Sequence, residues 1–464
     1  MLCSPFKEMK KITLTIILLL SLTSVFGQNR QYDLIITNAN VLDVRTGSIT
    51  NNQNILIHNS RIENLTDGSN VYSAKRTIDA KGKLVTPAFI DTHIHPTDVF
   101  GDYKNAPAFL AKDALKNLRK KLSDEYLPFG TATVLTMGQP ENWLAPLLSW
   151  QKDQNASYTD LYVSGGALIS KEKRIPYIAH TTVETPESAK QKILEYHRKG
   201  IHRVKLYYRL QRPEFIAAYK TADSLGMRIY GHIGDFSSDY LTINETLAIG
   251  LINYEHLAAI PNTIITSETD KTQFDKQFKA HFGEINSEAR FLECYLEQFR
   301  FIEENKAAEM DTFIAALAKK KSAFSTTIHR LYEQFQPTYY TRSADTLLTE
   351  DQTKRCLQNF SILMKYAKKM QDKGIEIRLG SDGPNGGKVN ISELILFCKY
   401  GFSVAEAFKI ATINGAKAIN IDQETGTLEK GKLANLLIWG KSPFDDYHNF
   451  SLSKTVIKNG KIYR

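Results

Sequence analysis

Residues 84–98 read Leu-Val-Thr-Pro-Ala-Phe-Ile-Asp-Thr-His-Ile-His-Pro-Thr-Asp, an apolar, β-prone run that delivers two histidines spaced two apart. Side chains at i and i+2 of a strand share a face. His93 and His95 therefore point the same way at a strand end, a disposition in which one metal ion takes two imidazoles. Two solvated polar residues would give the same spacing, so the reading depends on whether further ligands recur at other strand ends. They do. Lys205 in Arg-Val-Lys-Leu-Tyr-Tyr, His232 in Arg-Ile-Tyr-Gly-His-Ile, His256 in Ile-Asn-Tyr-Glu-His-Leu and Asp382 in Ile-Arg-Leu-Gly-Ser-Asp-Gly each close a short apolar run. Most of the stretches between them carry helical periodicity. Strands alternating with helices, with chemistry at the strand C-termini, predict an α/β fold built as a (β/α)8 TIM-like barrel.

Eight strand runs can be counted, at 84–93, 132–136, 161–164, 203–207, 228–232, 252–255, 323–328 and 375–379. Helix starts agree with them: Thr185 precedes Pro186, a good first helical residue, and Ser403 with Glu406 forms a capping box before 407–418. Between His256 and Ala323 lie more residues than one crossover needs, with helix-like stretches at 274–282 and 287–305. A helical insertion at about 260–320 is expected over the barrel mouth, where long βα connections shape the pocket. Before the barrel, 31–83 alternates short β-rich runs with turn clusters of Asn, Gly, Asp and Ser; 435–439 and 454–463 have the same texture. The expected organisation is a small composite β-sandwich from 28–83 and 423–464, flanking a barrel over 84–422.

The set His-x-His, Lys, His, His, Asp resembles the amidohydrolase superfamily, and in particular its two-metal members with a carboxylated lysine. The resemblance extends over nearly all of the chain after the leader. It includes the Pro-x-Phe-Ile-Asp-x-His-x-His opening and the tail at 426–436, Gly-Thr-Leu-Glu-Lys-Gly-Lys-Leu-Ala-Asn-Leu. Ala88 stands where a Gly is usual and Asn435 where an Asp is common, and neither is a ligand position. The composite β-domain is also common in that family.

This resemblance implies two divalent ions, zinc by preference. His93, His95 and Asp382 would hold the first and His232 and His256 the second, with Lys205 as a bridge. Two such ions about 3.5–4 Å apart can share a hydroxide that is nucleophilic at neutral pH. A free ammonium is a poor neighbour for two divalent ions, so Lys205 serves only after losing its proton and reacting with carbon dioxide; without that reaction it is a barrel residue with an apolar stem. Asp382 is the expected catalytic residue, taking the attacking proton and passing it to the leaving amine. The implied activity is hydrolysis of a C–N bond in an amide, peptide or cyclic amide, of the imidazolonepropionase-like or peptidase-like kind. The alternatives are a single-metal deaminase and a catalytically silent barrel with a binding role. The second predicts missing ligands, and none of the six is missing.

Tyr207, Arg209, His329 and Arg330 are candidates for substrate contact, since they follow the fourth and seventh strands and Arg pairs bidentately with carboxylates. His58, His197, His202, His281 and His448 fall in turns or on helix faces and read as solvated. Gly383-Pro384-Asn385-Gly386-Gly387 lacks the Lys-Ser/Thr of a phosphate loop and reads as a loop after the eighth strand.

Composition sets the remaining bounds. With 464 residues, 42% hydrophobic and 23% charged, the chain is ordinary globular material. The net charge of +9 falls to about +7 once Lys7, Lys10 and Lys11 are removed against Glu8, and its basic residues are scattered, so no nucleic-acid partner is expected. The expected partner is a small-molecule substrate, with a homo-oligomer left open. Residues 9–27 show a basic segment, a short apolar run and small residues before a cut, the signature of a cleaved signal peptide over 1–27. Export follows, to the periplasm or beyond, with no stable membrane insertion after cleavage; no Cys stands at the cut to carry a lipid. Cys294, Cys356 and Cys398 sit in helical regions and read as buried small hydrophobes rather than a disulfide framework.

Overall fold

The computed structural model describes residues 31–101, 114–170, 180–234, 240–336 and 348–463; the signal peptide expected at 1–27 lies outside them. At the N-terminal end, β1 (Leu34–Leu42), β2 (Ile49–His58), β3 (Arg61–Asp67), β4 (Thr77–Asp79) and β5 (Leu84–Pro87) follow one another without an intervening helix. Strands then alternate with helices. β6 (Phe89–Ile94), β7 (Thr131–Thr136) and β8 (Asp160–Val163) pair in parallel as one sheet. The second parallel sheet comprises β9 (Ala167–Ile169), β10 (Thr181–Thr182), β11 (Arg203–Leu206), β12 (Arg228–Gly231), β13 (Asn253–Tyr254), β14 (Ala323–Ser325) and β15 (Glu376–Arg378), in the order β10-β9-β11-β12-β13-β14-β15. β16 (Leu436–Trp439), β17 (Lys454–Lys458) and β18 (Lys461–Ile462) return to the N-terminal strands.

The two parallel sheets meet on both sides. β8 leads through Ser164, Gly165 and Gly166 into β9. On the other side the Thr92 N–H and hydroxyl both donate to the Leu379 carbonyl, at 2.9 and 2.7 Å, and the Asp382 N–H donates to the His93 carbonyl at 2.9 Å. The strand expected over 84–93 is in fact two. Pro87 has no N–H to continue a ladder, and the chain changes sheets there: β5 pairs with β1 and β16, the Ala88 N–H donates to the Asn435 carbonyl at 3.0 Å, and β6 begins at Phe89. The runs expected over 252–255 and 375–379 appear as β13 and β15, and His256 and Asp382 follow them with positive φ values of 65° and 47°, outside regular extended backbone.

The N- and C-terminal strands form one hydrogen-bonded sheet of eight, in the order β18-β17-β16-β5-β1-β2-β3 with β4 on β1. Its two ends share a core in which Ile36, Ile57, Val85, Leu436 and Ile457 are buried. Phe408 fastens it to the parallel sheets by packing on Phe89, Trp439 and Phe450, with centroids 6.4, 5.5 and 5.1 Å away. A buried ion pair, Lys458 Nζ to Asp160 Oδ2 at 2.9 Å, ties β17 to β8. Both helix starts read from the sequence carry complete capping boxes, at Thr185 and Ser403.

The segment expected as a lid contains the helices Pro261–Ile264, Glu268–Phe282, Glu288–Asn305 and Ala307–Lys319. It is not a separable cover. Leu296, Phe299, Phe301 and Ile302 on Glu288–Asn305 are buried, and Glu297 beside them accepts from Arg355 and Asn359 of the helix Glu350–Asp372. Only the first turns of Glu288–Asn305 face a cavity; the rest belongs to the core. Among the described residues no helix is long and apolar enough to cross a membrane.

Candidate active site

Five strand ends bring the six expected ligands together. His93 is the penultimate residue of β6 and His95 follows directly after its end, with their Nε2 atoms 3.4 Å apart. Asp382 Oδ1 lies 3.4 Å from His93 Nε2 and 3.1 Å from His95 Nε2, and its Oδ2 lies 3.7 Å from His256 Nδ1. Lys205, on β11, puts its Nζ 3.4 Å from His93 Nε2. The His256 ring packs on those of His93 and His232, at 4.6 and 4.2 Å between centroids. Among the described residues, His93, His95 and Asp382 offer ligand atoms that all lie within 4.8 Å of one another; Lys205, His232 and His256 adjoin that group.

Outer contacts fix which nitrogen each imidazole presents. His93 Nδ1–H donates to Glu255 Oε2 at 2.6 Å, leaving the Nε2 lone pair toward Asp382. His95 Nδ1–H lies 3.2 Å from the Gly138 carbonyl. The Thr327 hydroxyl donates to its neighbour's carbonyl and so accepts from His256 Nδ1–H at 2.8 Å. All three rings have Nδ1 tied down, and His93 and His95 present Nε2 to Asp382 as second-sphere partners arrange for metal-binding histidines; His256 instead has Nδ1 nearest Asp382.

The electrostatics agree with that reading. Burial lowers His95 to about 4 and takes His232 and His256 well below the ordinary imidazole range. Burial also lowers Lys205, to about 8. For Asp382 burial acts upward, but His93 and His95 outweigh it and keep the carboxylate ionised. For Glu255 burial is likewise outweighed, by Arg378 and His93, and it falls to about 2. His95, His232 and His256 are thus held neutral beside an ionised carboxylate, the protonation states a divalent ion requires, whereas His93 is raised, Asp382 and Glu255 outweighing burial and Lys205. The donor set fits such ions.

A cavity of about 870 Å³ opens onto His232, His256 and Asp382. Tyr207 and Tyr208 line it beside His232, with ring centroids 4.8 and 5.4 Å away. Phe291, Leu292 and Tyr295 form an apolar side. Arg209 lies over the Tyr208 ring at 5.3 Å, and Arg330 donates to the Asp382 carbonyl at 3.3 Å and pairs with Glu288. Tyr207, Arg209 and Arg330 therefore border the cavity. His329 does not. It caps the other side of its turn, its N–H donating to Glu393 Oε1 at 2.9 Å and its Nε2 facing Glu333 at 3.3 Å.

Sequence reasoning missed Glu255, Thr327, Tyr208 and Asp98. Glu255 was detectable as an ionisable residue inside an apolar strand run, which calls for a buried partner. Asp98, three residues past His95, lines the cavity, and burial together with Asp382 raises its carboxyl to about 7.

The sequence profile of the amidohydrolase family matches residues 359–463. Over 454 residues the chain is 23% identical to an imidazolonepropionase of Staphylococcus aureus, covering 89% of this chain and 90% of that enzyme. A 116-residue stretch is 38% identical to a 5-methylthioadenosine/S-adenosylhomocysteine deaminase of Thermoanaerobacter pseudethanolicus, spanning 20% of this chain and 27% of that one. Among solved structures, a Xaa-Pro dipeptidase with methionine bound in its active site superposes with a TM-score of 0.62 at 16% identity, covering 93% of this chain and 99% of the other.

Proposed function

We propose, from the premise that the chain belongs to the amidohydrolase superfamily and is a hydrolase of carbon–nitrogen bonds, that it cleaves an amide, peptide or cyclic amide of a small molecule at a divalent-metal site on a closed (β/α)8 barrel. The observation that carries the reading is the pair His93 and His95, whose Nε2 atoms lie 3.4 and 3.1 Å from the ionised Asp382 carboxylate, with His256 adjoining it through Nδ1 at 3.7 Å. His93, His95 and Asp382 would hold one ion, His232 and His256 a second, and Lys205, as its carbamate, would stand between them. Ions bound there polarise a substrate carbonyl and make water nucleophilic at neutral pH.

The chain's own groups supply the rest. Asp382 is an ionised base at the centre of the ligand group, able to take a proton from the nucleophile and return it to the leaving nitrogen. Lys205 is lowered to about 8, so its neutral amine, the form that adds carbon dioxide with loss of a proton, is accessible near neutrality. Closure of the barrel is supported by the backbone bonds from Thr92 and Asp382 that join β6 to the end of β15.

One ion and deamination is the second reading, favoured by the tightness of the His93, His95 and Asp382 group alone. Metal per chain, measured alongside ammonia release and a panel of dipeptides, N-acyl amino acids, lactams and cyclic ureas, separates the two. Two ions with cleavage of amides support the proposal; one ion with ammonia release overturns it. The leader-like stretch 1–27 makes the enzyme an exported one, tested by whether the intact mass of the mature form corresponds to a start near Gln28.

A further inference from the structure

One carboxylate in the cavity has no part in the chemistry above. Asp98 lies in the short helix Pro96–Phe100, and its N–H donates to the His95 carbonyl at 3.0 Å, which sets the side chain beside the ligand group. That side chain lines the cavity together with His232, His256 and Asp382. Among the described residues it accepts no hydrogen bond and forms no ion pair. The charges acting on it are Asp382 and Glu125, of like sign, and His93 and Arg330, of opposite sign, the Arg330 guanidinium being engaged by Glu288 and by the Asp382 carbonyl. Asp98 is half-buried and opens on the cavity, so a donor entering the cavity can reach its carboxylate. The facing side, with Phe291, Leu292, Tyr295 and Leu331, suits an apolar body.

We propose that Asp98 receives the free amino group of the substrate, so that this enzyme acts on C–N bonds in molecules that carry an unblocked primary amine and an apolar side group, in preference to their N-acylated counterparts. A cationic nitrogen donates charge-assisted hydrogen bonds to the carboxylate that none of the described residues provides. N-acylation removes that charge and leaves Asp98 facing a bulkier neutral group. The inference rests on the hydrolase reading for its substrates, although the recognition itself is a binding event.

Two measurements on the zinc-loaded full chain test it. The first compares kcat/KM for unblocked phenylalanyl dipeptides with that for their N-acetyl forms, in wild type, Asp98→Asn and Asp98→Glu. Wild type is expected to favour the free amine by at least about tenfold, the Asn variant to lose that preference, mainly in KM, and the Glu variant to keep part of it. The second measures binding of phenethylamine and N-acetylphenethylamine by calorimetry, which requires no turnover. Binding of the amine that disappears in the Asn variant and persists in the Glu variant supports the proposal, even if wild type hydrolyses neither peptide series; in that case the hydrolase reading falls alone. Equal binding of phenethylamine by wild type and Asp98→Asn overturns it. Loss of zinc from the folded Asn variant overturns it too, because Asp98 would then serve the metal and not the substrate.

Discussion

Glu255 and His93, 162 residues apart in sequence, meet at 2.6 Å between Oε2 and Nδ1, both fully buried, and the second Glu255 oxygen takes the guanidinium of Arg378. The strand that carries one expected ligand, His256, thus also orients another, His93. Glu255→Gln places an amide NH₂ against one of two donors, His93 or Arg378, and should weaken zinc binding about 10–100-fold. Glu255→Ala additionally strands Arg378 in the core and should cost about 3–5 kcal/mol of stability. Equilibrium dialysis with zinc and urea unfolding read the two effects separately; zinc affinity within about twofold of wild type in the Gln variant would contradict the orienting role.

Lys205→Ala removes the proposed carbamate and, with it, the anion between two ion sites. The second site, left with His232 and His256, should empty first and activity should fall with it. Acetate or propionate should enter the space and restore part of both. Lys205→Arg should not recover, since a guanidinium stays charged and cannot be carboxylated. Metal per chain and rate, with and without added acid, decide the matter: full activity with unchanged metal in the Ala variant rules out the bridge.

Glu393 is fully buried, accepts from the His329 N–H at 2.9 Å and meets the Thr326 hydroxyl. Burial, reinforced by Asp91, raises it from 4.5 to about 8. The folded state therefore holds a proton that the unfolded chain has released, and stability contributed by Glu393 is complete below about pH 4.5 and is lost as pH rises toward 8. In Glu393→Gln, the carbonyl can still accept from His329 and the amide can donate to Thr326. Urea midpoints at pH 5 and pH 8.5 should fall between the two conditions in wild type and fall less in Glu393→Gln. An identical drop in both proteins would place the proton elsewhere.

Gly380 separates β15 from Asp382, and a Cβ there would come within 2.3 Å of Ser325 Oγ and 2.7 Å of His93 Cβ. Its backbone needs no glycine for turning; the space does. Gly380→Ala should push His93 off its position, costing about 1–3 kcal/mol and reducing zinc uptake. Wild-type zinc content in a Gly380→Ala protein would show that His93 has room to retreat.

The cluster of expected ligands was legible in the sequence because each member sits at the end of a short apolar run, where alternation alone places His93 and His95 on one face. Contacts that tune those ligands were less so. Glu255 and Arg378 pair across 123 residues, and nothing in either local pattern names the other. The break at Pro87 was hidden by an unbroken apolar texture over 84–90, since a strand that changes sheets stays buried in both. The helix Glu288–Asn305 was read as cover because its length exceeds what a crossover needs, yet its polar Glu297 is buried with Arg355 and Asn359, a partnership helical periodicity cannot reveal. His329 was placed toward the substrate by its position after a strand; a single turn of helix carries it away.

The pairing of β16 with β5 has a consequence for the order in which the chain is made. β5 lies one residue before β6, the strand that carries His93, and its partner is synthesised some three hundred and fifty residues later. A ribosome that has already released every proposed ligand has therefore not yet supplied the strand against which the first of them is anchored. A premature stop near residue 430 would delete no proposed ligand and no residue lining the cavity beside Asp382, but it would leave β5 with an open edge beside the proposed metal site. Long-range pairing of this kind closes slowly and late, so the last strands to emerge, not the ligand-bearing ones, set when the site becomes competent.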